Sequence, residues 1–375
     1  MRFITSAIAE IIASYDGKLP LAIFIKQYFK AHPKLGSRDR RAISDAVYTF
    51  YRLAAFVRDA PQNIWGILQW AIQNDFLQNP IIEQLATQQE AEPIAPDFYQ
   101  QVYSNELSDG IDIREWQQSM LQIPDTFIRL RVPAFNLIPM LQAEDIPFEQ
   151  IGEETFAFPP GLNLSQILPE QFYVVQDYSS QQSLKPLFQA IPFDAEDTFY
   201  VWDCCSGAGG KTLQLKDKYR KAQMLCTDIR NSSLHNLRDR AKTYYHKYIT
   251  TRNLDAAQFR QVTALQEPFD VIIADVPCSG SGTWARTPER FYYFQPGEIK
   301  QFALKQYKIA ANAAQKLKSG GHMLYITCSV FKDENEHVVA QLLASNPNLE
   351  LLSFSAINGI EQGADCMFTA LLRCR

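Results

Sequence analysis

The sequence has no long apolar run and no recognisable leader. Across its 375 residues, no apolar segment approaches the roughly 20 residues that a membrane-spanning helix needs. The stretch from Met1 to Ala7 continues into an amphipathic pattern, without the apolar block and small-residue cleavage site of a signal peptide. These absences predict a protein with no membrane segment.

An excess of positive charge and regular cysteine spacing are also missing. The net charge is −5, so any nucleic-acid site must be a local basic patch rather than a property of the whole surface. The seven cysteines are an odd number and show neither disulfide-framework spacing nor paired Cys-x-x-Cys spacing, so we predict no metal site. Unpaired cysteines are typical of the reducing cytoplasm.

What is present is enough apolar material for two or three domains, with 46% hydrophobic residues and 12% aromatics. Residues 1–120 show helical spacing, for example at Ile4, Ile8 and Ile11. A basic cluster follows Gly36 and consists of Arg38, Arg40 and Arg41. Two interpretations stay equally open: phosphate binding, or a solvated first helical turn with one arginine paired to Asp39 or Asp45.

The pattern of predicted secondary structure changes twice along the remaining chain. Residues 121–190 predict a small α+β module, because Thr126 to Val132 alternates as a strand does. Residues 191–375 alternate strand and helix signals, with strands at 198–203, 223–228, 248–253, 270–275 and 322–327 and two closing candidates at 349–354 and 366–373. The clearest helix, 297–318, stops at Ser319-Gly320-Gly321. This order predicts a doubly wound, mostly parallel, seven-stranded sheet.

One predicted strand is followed directly by a loop with an acidic and a thiol side chain. The apolar run Phe269 to Ala274 ends in Asp275-Val276-Pro277-Cys278, followed by small residues. Parallel strands present such loops at the carboxyl edge of the sheet, where open α/β folds bind ligands. An isolated Pro-Cys would be better explained as an ordinary buried cysteine, but four other strand ends carry reactive or acidic side chains.

A glycine-rich loop follows the first strand of this domain. Its residues are Cys204, Cys205, Ser206, Gly207, Ala208, Gly209, Gly210 and Lys211. A nucleotide-triphosphate loop would need glycine at Cys205, and the glycine spacing does not match G-x-G-x-x-G either. Such a loop still lets the backbone approach a nucleoside closely.

Two acids at later strand ends indicate which nucleoside. Asp228 stands where a carboxylate accepts both ribose hydroxyls, and Asp255 stands where an acid reaches an adenine amino group. Either one alone is more often a helix N-cap. Together, without a pyrophosphate cradle, they predict S-adenosylmethionine (SAM) as the cofactor.

Two cysteines, Cys278 and Cys328, leave neighbouring strands on the same edge. They are a pair of buried thiols, a redox pair or a covalent catalyst. In the last case a thiolate adds to carbon 6 of a pyrimidine and makes carbon 5 nucleophilic. Asp275 would stabilise that adduct at the ring nitrogens, and Lys211 would hold the thiolate or the base carbonyl.

At this point the chain resembles the Sun/Nop (RsmB-type) family of RNA cytosine-5 methyltransferases. The matching segments are Val175 to Gln181, Gly209 to Thr212, Asp228, Asp255, Asp275 to Gly280, and Thr327 to Ser329 with Glu334-Asn335-Glu336. The loop departs from the family's Cys-Ala-Ala-Pro by reading Cys205-Ser206-Gly207-Ala208.

The resemblance implies a class I SAM-dependent methyltransferase fold, with SAM contacts from residues 204–210, Asp228, Asp255 and Asp275. It makes Cys328 the nucleophile and Cys278 the residue that assists release. It also implies an enzyme that acts on RNA, with ribosomal RNA expected, and a NusB-like RNA-binding domain at residues 1–120. We further expect a monomer, and an RNA contact at Arg286 because it follows the Pro-Cys loop. A non-catalytic RNA-binding or ribosome assembly factor, and a methyltransferase acting on DNA or protein, stay open as alternatives.

Overall fold

The computed structural model describes residues 2–57, 60–98, 106–131 and 137–375. The chain divides into two compact units. The first unit comprises Met1–Ser104, Ile113–Ile123 and Trp284–Pro296, and the second comprises Asn105–Asp112, Pro124–Thr283 and Gly297–Arg375. Among the described residues, no helix combines the length and apolar character needed to cross a membrane.

The first unit is helical, as its sequence periodicity predicts. Its helices are α1 (Arg2–Ser14), α2 (Leu21–Ala31), α3 (Ser37–Ala54), α4 (Ile64–Gln73), α5 (Pro80–Ala86) and α6 (Ile113–Ser119). Ile4, Ile8 and Ile11 bury one face of α1 in the common core, because residues three or four apart lie on one side of a helix. The interior also holds Arg52, which donates to the carbonyl oxygens of Met120, Gln122 and Ala285; burial lowers the pKa of Arg52 to about 10.

The two units differ from the domains predicted with boundaries at residues 120 and 190, because each unit combines segments that are distant in sequence. Residues 284–296, which lie inside the segment 191–375, pack in the helical unit, where the Tyr293 hydroxyl donates to the Tyr15 carbonyl over 2.7 Å. Residues 106–112 lie in the second unit, where the Ser108 amide donates to the Val330 carbonyl over 2.7 Å. Periodicity identifies a helix but not the surface on which it packs, so the sequence could not show either exchange.

The second unit contains two sheets, the smaller of which has four antiparallel strands. They are β1 (Thr126–Leu130), β2 (Glu149–Gln150), β3 (Thr155–Phe158) and β4 (Tyr173–Val175), in the order β2-β3-β1-β4. The described part of the strand predicted from Thr126 ends at Leu130, and Val132 lies outside the described residues. Three helices lie in this part of the chain: α7 (Ile138–Ala143), α8 (Tyr178–Gln182) and α9 (Lys185–Ala190), and Leu187 of α9 packs in a core of the large sheet.

The larger sheet confirms the predicted architecture. Its strands are β5 (Tyr200–Asp203), β6 (Gln223–Asp228), β7 (Ile249–Asn253), β8 (Phe269–Asp275), β9 (Leu317–Thr327), β10 (Leu349–Asn358) and β11 (Cys366–Cys374). They lie in the order β10-β11-β9-β8-β5-β6-β7, with β5 to β9 parallel and the last two antiparallel. The connecting helices are α10 (Gly210–Lys218), α11 (Asn231–Thr243), α12 (Phe259–Thr263), α14 (Gly297–Ala314) and α15 (Glu336–Ser345), and α13 (Pro288–Tyr293) belongs to the helical unit.

Both faces of the large sheet are covered, because its strands alternate between two apolar cores. Ile272 and Ala274 point into one core, whereas Val271 and Ile273 point into the other. A strand buried on both faces reads as a continuous apolar run, and that run is what the sequence shows at β8.

The helix predicted over 297–318 is shorter than expected. It ends at Ala314, and Gly320 and Gly321 lie inside β9. The pairing of β8 with β9 shifts register between Phe269 and Val271, and a Cβ on Gly321 would lie 3.0 Å from the Asp270 carbonyl oxygen. Glycine is therefore required for the close approach of two strands rather than for ending a helix.

A buried carboxylate links the two sheets of the second unit. Asp217, at the end of α10, accepts hydrogen bonds from Arg129 Nη2 at 2.5 Å and Arg131 Nε at 2.8 Å, and it lies 3.1 Å from His246 Nε2. Burial acts to raise the pKa of Asp217, but the His246 hydrogen bond and the two arginines outweigh it and hold that pKa at about 2. Asp217 thereby fixes the small sheet, through β1, against α10 and the loop after α11.

Replacing Asp217 with asparagine should lower the free energy of unfolding by about 3 kcal/mol, because two buried guanidinium groups lose their counter-charge. The Asp217 pKa is lowered from 3.8 to about 2, so its stabilising contribution is complete above the higher value and is lost as the pH falls through the lower one. The melting-temperature difference between wild type and Asp217→Asn should therefore narrow over that range. Asp239→Asn, at an exposed carboxylate paired with Lys242, is the matched control and should change stability by less than about 0.5 kcal/mol. Equal melting of the two variants would contradict the structural role of Asp217.

Candidate active site

Five parallel strands end at one edge of the large sheet, and the ends of four of them, β5 to β8, surround a cavity of about 530 Å³. The predicted site residues that line this cavity are Cys204, Cys205, Ser206, Gly207, Ala208, Gly210, Asp228, Asp255, Asp275 and Cys278. Residues not singled out from the sequence complete the wall, among them Arg230, Lys305 and Ile309. The topology brings these side chains together because the carboxyl ends of parallel strands meet at one edge.

Three predicted residues, Gly209, Lys211 and Cys328, are not part of that wall, and Cys328 adjoins it only through its contact with Cys278. Gly209 precedes α10 with φ +86°, and a Cβ there would lie 2.1 Å from Leu237 Cδ1. Glycine at this position thus allows close packing against α11. Lys211 is buried and places its Nζ 2.9 Å from Ser180 Oγ and 3.2 Å from Asp275 Oδ2. Lys211 therefore orients the carboxylate of Asp275.

The two acids predicted to hold a nucleoside are fixed by backbone amides. Asp228 Oδ2 accepts from the Gly207 amide at 3.0 Å, and Oδ1 accepts from the Arg230 amide at 2.8 Å. Asp255 Oδ1 accepts from the Ala257 amide at 3.0 Å. The N-cap alternative does not hold for either acid, because the residues at the cap positions of α11 and α12 are Arg230 and Gln258.

One acid in this region was not predicted. Asp203 ends β5 directly before the glycine-rich loop, is 1% exposed and accepts from Thr212 Oγ1 at 2.6 Å. Its second oxygen, Oδ1, has no hydrogen-bond partner among the described residues. Burial raises the pKa of Asp203 to about 7, against the opposing effect of the Thr212 hydrogen bond. The sequence signal that could have identified Asp203 is its position at the end of the first strand, directly before the glycine-rich loop.

The two predicted catalytic cysteines are in contact. Both are free thiols, and their Sγ atoms are 3.0 Å apart. The hydrogen bond to Cys328, together with burial, raises the pKa of the Cys278 thiol well above its ordinary value. Either sulfur can be the donor in this contact.

A buried glutamate holds the two cysteine loops together. Glu334 is 0% exposed and accepts from the Ser279 amide at 2.9 Å, Ser329 Oγ at 2.7 Å and Gln306 Nε2 at 2.7 Å. Burial raises the pKa of Glu334, although its hydrogen bonds act in the opposite direction. Since Ser279 follows Cys278 and Ser329 follows Cys328, this one side chain fixes the spacing of the two sulfurs.

The glycine after the Pro-Cys loop is equally constrained. The Gly282 amide donates to the Cys328 carbonyl over 2.9 Å. A Cβ at Gly282 would lie 1.9 Å from the Cys366 carbonyl oxygen, so no other residue fits without backbone movement. The loop can therefore approach β9 and β11 only because this residue is glycine.

The predicted RNA contacts lie in the helical unit. Arg38 and Arg41 are exposed, and Arg41 lies 3.9 Å from Asp45, which is one of the pairings foreseen. Arg40 Nε donates to the Leu35 carbonyl over 2.9 Å. Arg286 is half-buried within residues 284–296. Their contacts with RNA stay predictions. Across the described residues, no cluster of three or more His, Cys, Asp or Glu side chains is placed to hold a metal ion.

Comparison with known proteins agrees with this geometry. Residues 190–372 match the model of the family described as 16S rRNA methyltransferase RsmB/F. The chain is 30% identical over 182 residues to ribosomal RNA small subunit methyltransferase B of Klebsiella pneumoniae (strain 342), which covers 48% of this chain and 40% of that protein. It is 28% identical over 180 residues to tRNA (cytosine(34)-C(5))-methyltransferase of Drosophila melanogaster, covering 44% of this chain and 24% of that protein.

A solved structure matches the whole fold. The crystal structure of PH0851 superposes with a TM-score of 0.74 at 18% identity, covering 98% of this chain and 97% of that one. The chain spans less than half of the length of either curated relative described above, since the matches cover 40% and 24% of those proteins.

Proposed function

Residues 190–372 belong to the RsmB/F methyltransferase family, and on that premise we propose that the chain methylates carbon 5 of cytosine in RNA, with ribosomal RNA as the substrate. One observation carries the proposal. Two cysteine sulfurs 3.0 Å apart adjoin a cavity of about 530 Å³ to which three successive strand ends contribute Asp228, Asp255 and Asp275. Paired thiols beside a nucleoside-sized pocket match covalent methyl transfer to a pyrimidine.

The cavity fits SAM. Its volume lies in the range of roughly 300–1,000 Å³ that is usual for small-molecule sites, and the residues from Cys204 to Ala208 line it with small side chains. The carboxylates of Asp228 and Asp255 are acceptors for ribose hydroxyls and the adenine amino group. SAM supplies the methyl group when it is bound there.

The chain's own residues account for activation of the cytosine. Cys328 bonds through sulfur to carbon 6, and the electron pair of the carbon 5–carbon 6 double bond becomes available at carbon 5. Asp275, held by Lys211 at 3.2 Å, stabilises the adduct at the ring nitrogens. Once carbon 5 carries the methyl group, loss of its proton restores the double bond and expels Cys328 as a thiolate.

Cys278 is suited to that release step. In the resting site its pKa is raised by the hydrogen bond to Cys328 as well as by burial. When Cys328 is bonded to carbon, its sulfur no longer carries a negative charge beside Cys278, so this part of the shift disappears. Cys278 passes its proton to solvent water, and the resulting thiolate takes the proton from carbon 5 as Cys328 leaves as a thiolate.

The decisive experiment measures transfer of tritium from methyl-labelled SAM into total RNA from a strain that lacks the protein. Incorporation into ribosomal RNA, at a cytosine located by bisulfite sequencing, is the expected result. Incorporation into transfer RNA only would correct the substrate. No incorporation, despite binding of RNA, would favour the assembly-factor alternative, and label in DNA or protein would replace RNA as the substrate class.

Cofactor affinity provides an independent prediction. Asp228→Ala should weaken SAM binding by roughly tenfold or more, because a hydrogen bond to a charged acceptor is lost. Calorimetric titration of SAM measures this directly, without RNA. Asp239→Ala, on the exposed side of the following helix, is the control and should bind SAM as wild type does. Unchanged affinity of Asp228→Ala would remove this residue from the cofactor site.

The proposal extends to the rest of the chain. Residues 1–120 would act as a NusB-like RNA-binding domain, which the exposed side chains of Arg38 and Arg41 support, and residues 121–190 as an RNA-recognition-like module ahead of the methyltransferase domain at 191–375. A cytoplasmic location is supported by seven free cysteines. Monomeric action is part of the same proposal, and gel filtration tests it.

A further inference from the structure

A second and larger cavity lies on the other side of the large sheet. Its volume is about 1350 Å³, and it is lined by the ends of α10 and α11, by β1 and by the turn between β2 and β3. Residues 217–221 lead into β6 and residues 244–248 lead into β7. The cavity therefore lies at the edge where the parallel strands begin, opposite the edge that carries Cys328. We call it the tyrosine cleft, after Tyr244, Tyr245 and Tyr248 in its wall.

One wall of the tyrosine cleft carries four cations. Lys218, Arg220 and Lys221 lie at and just after the end of α10, and Lys247 lies after α11, in a chain whose net charge is −5. Asp217 is engaged by buried arginines. Lys218, Arg220 and Lys247 line the cavity with exposed side chains. This wall is a local cation cluster of the kind that follows a phosphate backbone.

Acidic residues are also present in the cleft, but they lie elsewhere in its lining. Glu196 pairs with Lys221 at 3.1 Å. Glu153 and Glu154 are exposed residues of the turn between β2 and β3. The exposed cations and the tyrosines thus lie at the ends of α10 and α11, whereas Glu153 and Glu154 stand on the small sheet.

Two of the exposed tyrosines adopt an unfavourable backbone conformation. Tyr245 is 82% exposed with φ +58°, and Tyr248 is 53% exposed with φ +62°. The Tyr245 amide donates to the Lys242 carbonyl and the His246 amide donates to the Ala241 carbonyl, a helix ending in which glycine usually takes the position of Tyr245. A bulky side chain in the left-handed region is strained, and such strain is retained where the side chain has a use.

We infer that the tyrosine cleft is a second binding site, which takes single-stranded RNA. Phosphates would contact Lys218, Arg220 and Lys247, and an unpaired base would stack on the exposed ring of Tyr245. Positive charge interleaved with exposed aromatic rings is the combination that binds single strands without sequence preference. The inference rests on the proposed function, since an RNA substrate long enough to span both edges of the sheet would use the cleft for affinity rather than for chemistry.

The structure offers a variant that removes the ring and keeps the backbone. Tyr245→Gly places glycine in a left-handed position, so the fold should be retained or slightly stabilised. With a fluorescein-labelled 20-nucleotide single-stranded RNA of mixed sequence as the probe, its affinity by anisotropy should fall roughly tenfold. Tyr245→Phe should bind as wild type does. Lys247→Gln should lower the slope of log affinity against log salt by about 0.7.

Tyr200→Ala is the matched control. Tyr200 is 46% exposed, with Lys318 Nζ 5.2 Å from its ring centre, and lies outside the cleft. Its affinity for the probe should match that of wild type. Cross-linking of a 4-thiouridine version of the probe should label residues 244–248.

Unchanged affinity of Tyr245→Gly, or cross-links that fall only elsewhere, would overturn the inference and leave the cleft as a protein-facing surface. These assays contain no SAM, so their outcome is separate from that of methyl transfer. If wild type incorporates methyl groups and the variants bind RNA as wild type does, the cleft is not an RNA site and the proposed function stands. If the variants lose RNA affinity and wild type incorporates no methyl groups, the cleft is an RNA site and the proposed function is wrong.

Discussion

Cys328→Ala is expected to abolish methyl transfer while SAM affinity and thermal stability stay near those of wild type. In the proposed mechanism the sulfur of Cys328 forms the bond that makes carbon 5 nucleophilic, whereas Cys278 acts only in release. Removal of a nucleophile from a comparable covalent enzyme lowers the rate by about 10⁴-fold or more. Single-turnover incorporation of tritiated methyl groups into RNA, with enzyme in excess, measures the chemical step itself.

The control for Cys328→Ala is Cys374→Ala. Cys374 is also a partly buried free thiol, but it ends β11, where its Sγ lies 3.7 Å from the Arg375 carbonyl oxygen rather than against Cys278. It should retain full activity, which would exclude a general effect of cysteine removal. Cys328→Ser should be inactive too, because a hydroxyl remains protonated where a thiol ionises. Full activity of Cys328→Ala would show that the covalent mechanism is wrong.

Local patterns were sufficient to predict the large sheet. The strands β5 to β9 are short apolar runs between helices, and each run ends in a residue of distinct chemistry such as Asp228 or Asp275. Because parallel strands share an edge, the position of each residue along its own strand places it near the others. This reasoning needs no knowledge of packing, and the cavity confirms that ten of the predicted residues share one wall.

The features that sequence missed depend on contacts between distant segments. Glu334 belongs to a matching motif, yet nothing in its neighbourhood shows that it accepts from the amide of Ser279, which is 55 positions away. Lys211 likewise meets Asp275 only because α10 and β8 end at the same edge. The Gly320-Gly321 pair has the pattern of a helix end, but its role is set by β8. In each case a tertiary contact determines what the local pattern leaves open.

The contact between the sulfurs brings together two cysteines that the strand pattern alone does not distinguish. A Pro-Cys cysteine and a Thr-Cys cysteine at neighbouring strand ends are equally plausible nucleophiles. The hydrogen bond to Cys328 and then burial raise the pKa of Cys278, which disfavours ionisation of that thiol while the two sulfurs are in contact. The family resemblance assigns the bond to carbon to Cys328 and the release step to Cys278, and variants of the two cysteines test that assignment.

Cys278→Ala should therefore arrest the enzyme after methyl transfer, with RNA bonded to Cys328. Without the Cys278 sulfur the carbon 5 proton is not removed, so the carbon–sulfur bond persists and turnover stops near one event per enzyme. Incubation with RNA and SAM should give a slowly migrating band on a denaturing gel that ribonuclease converts back to free protein. The double variant Cys278→Ala/Cys328→Ala should give no band, because it lacks the sulfur that forms the bond. A band from Cys328→Ala but none from Cys278→Ala would reverse the two assignments, and the proton would then belong to Cys328.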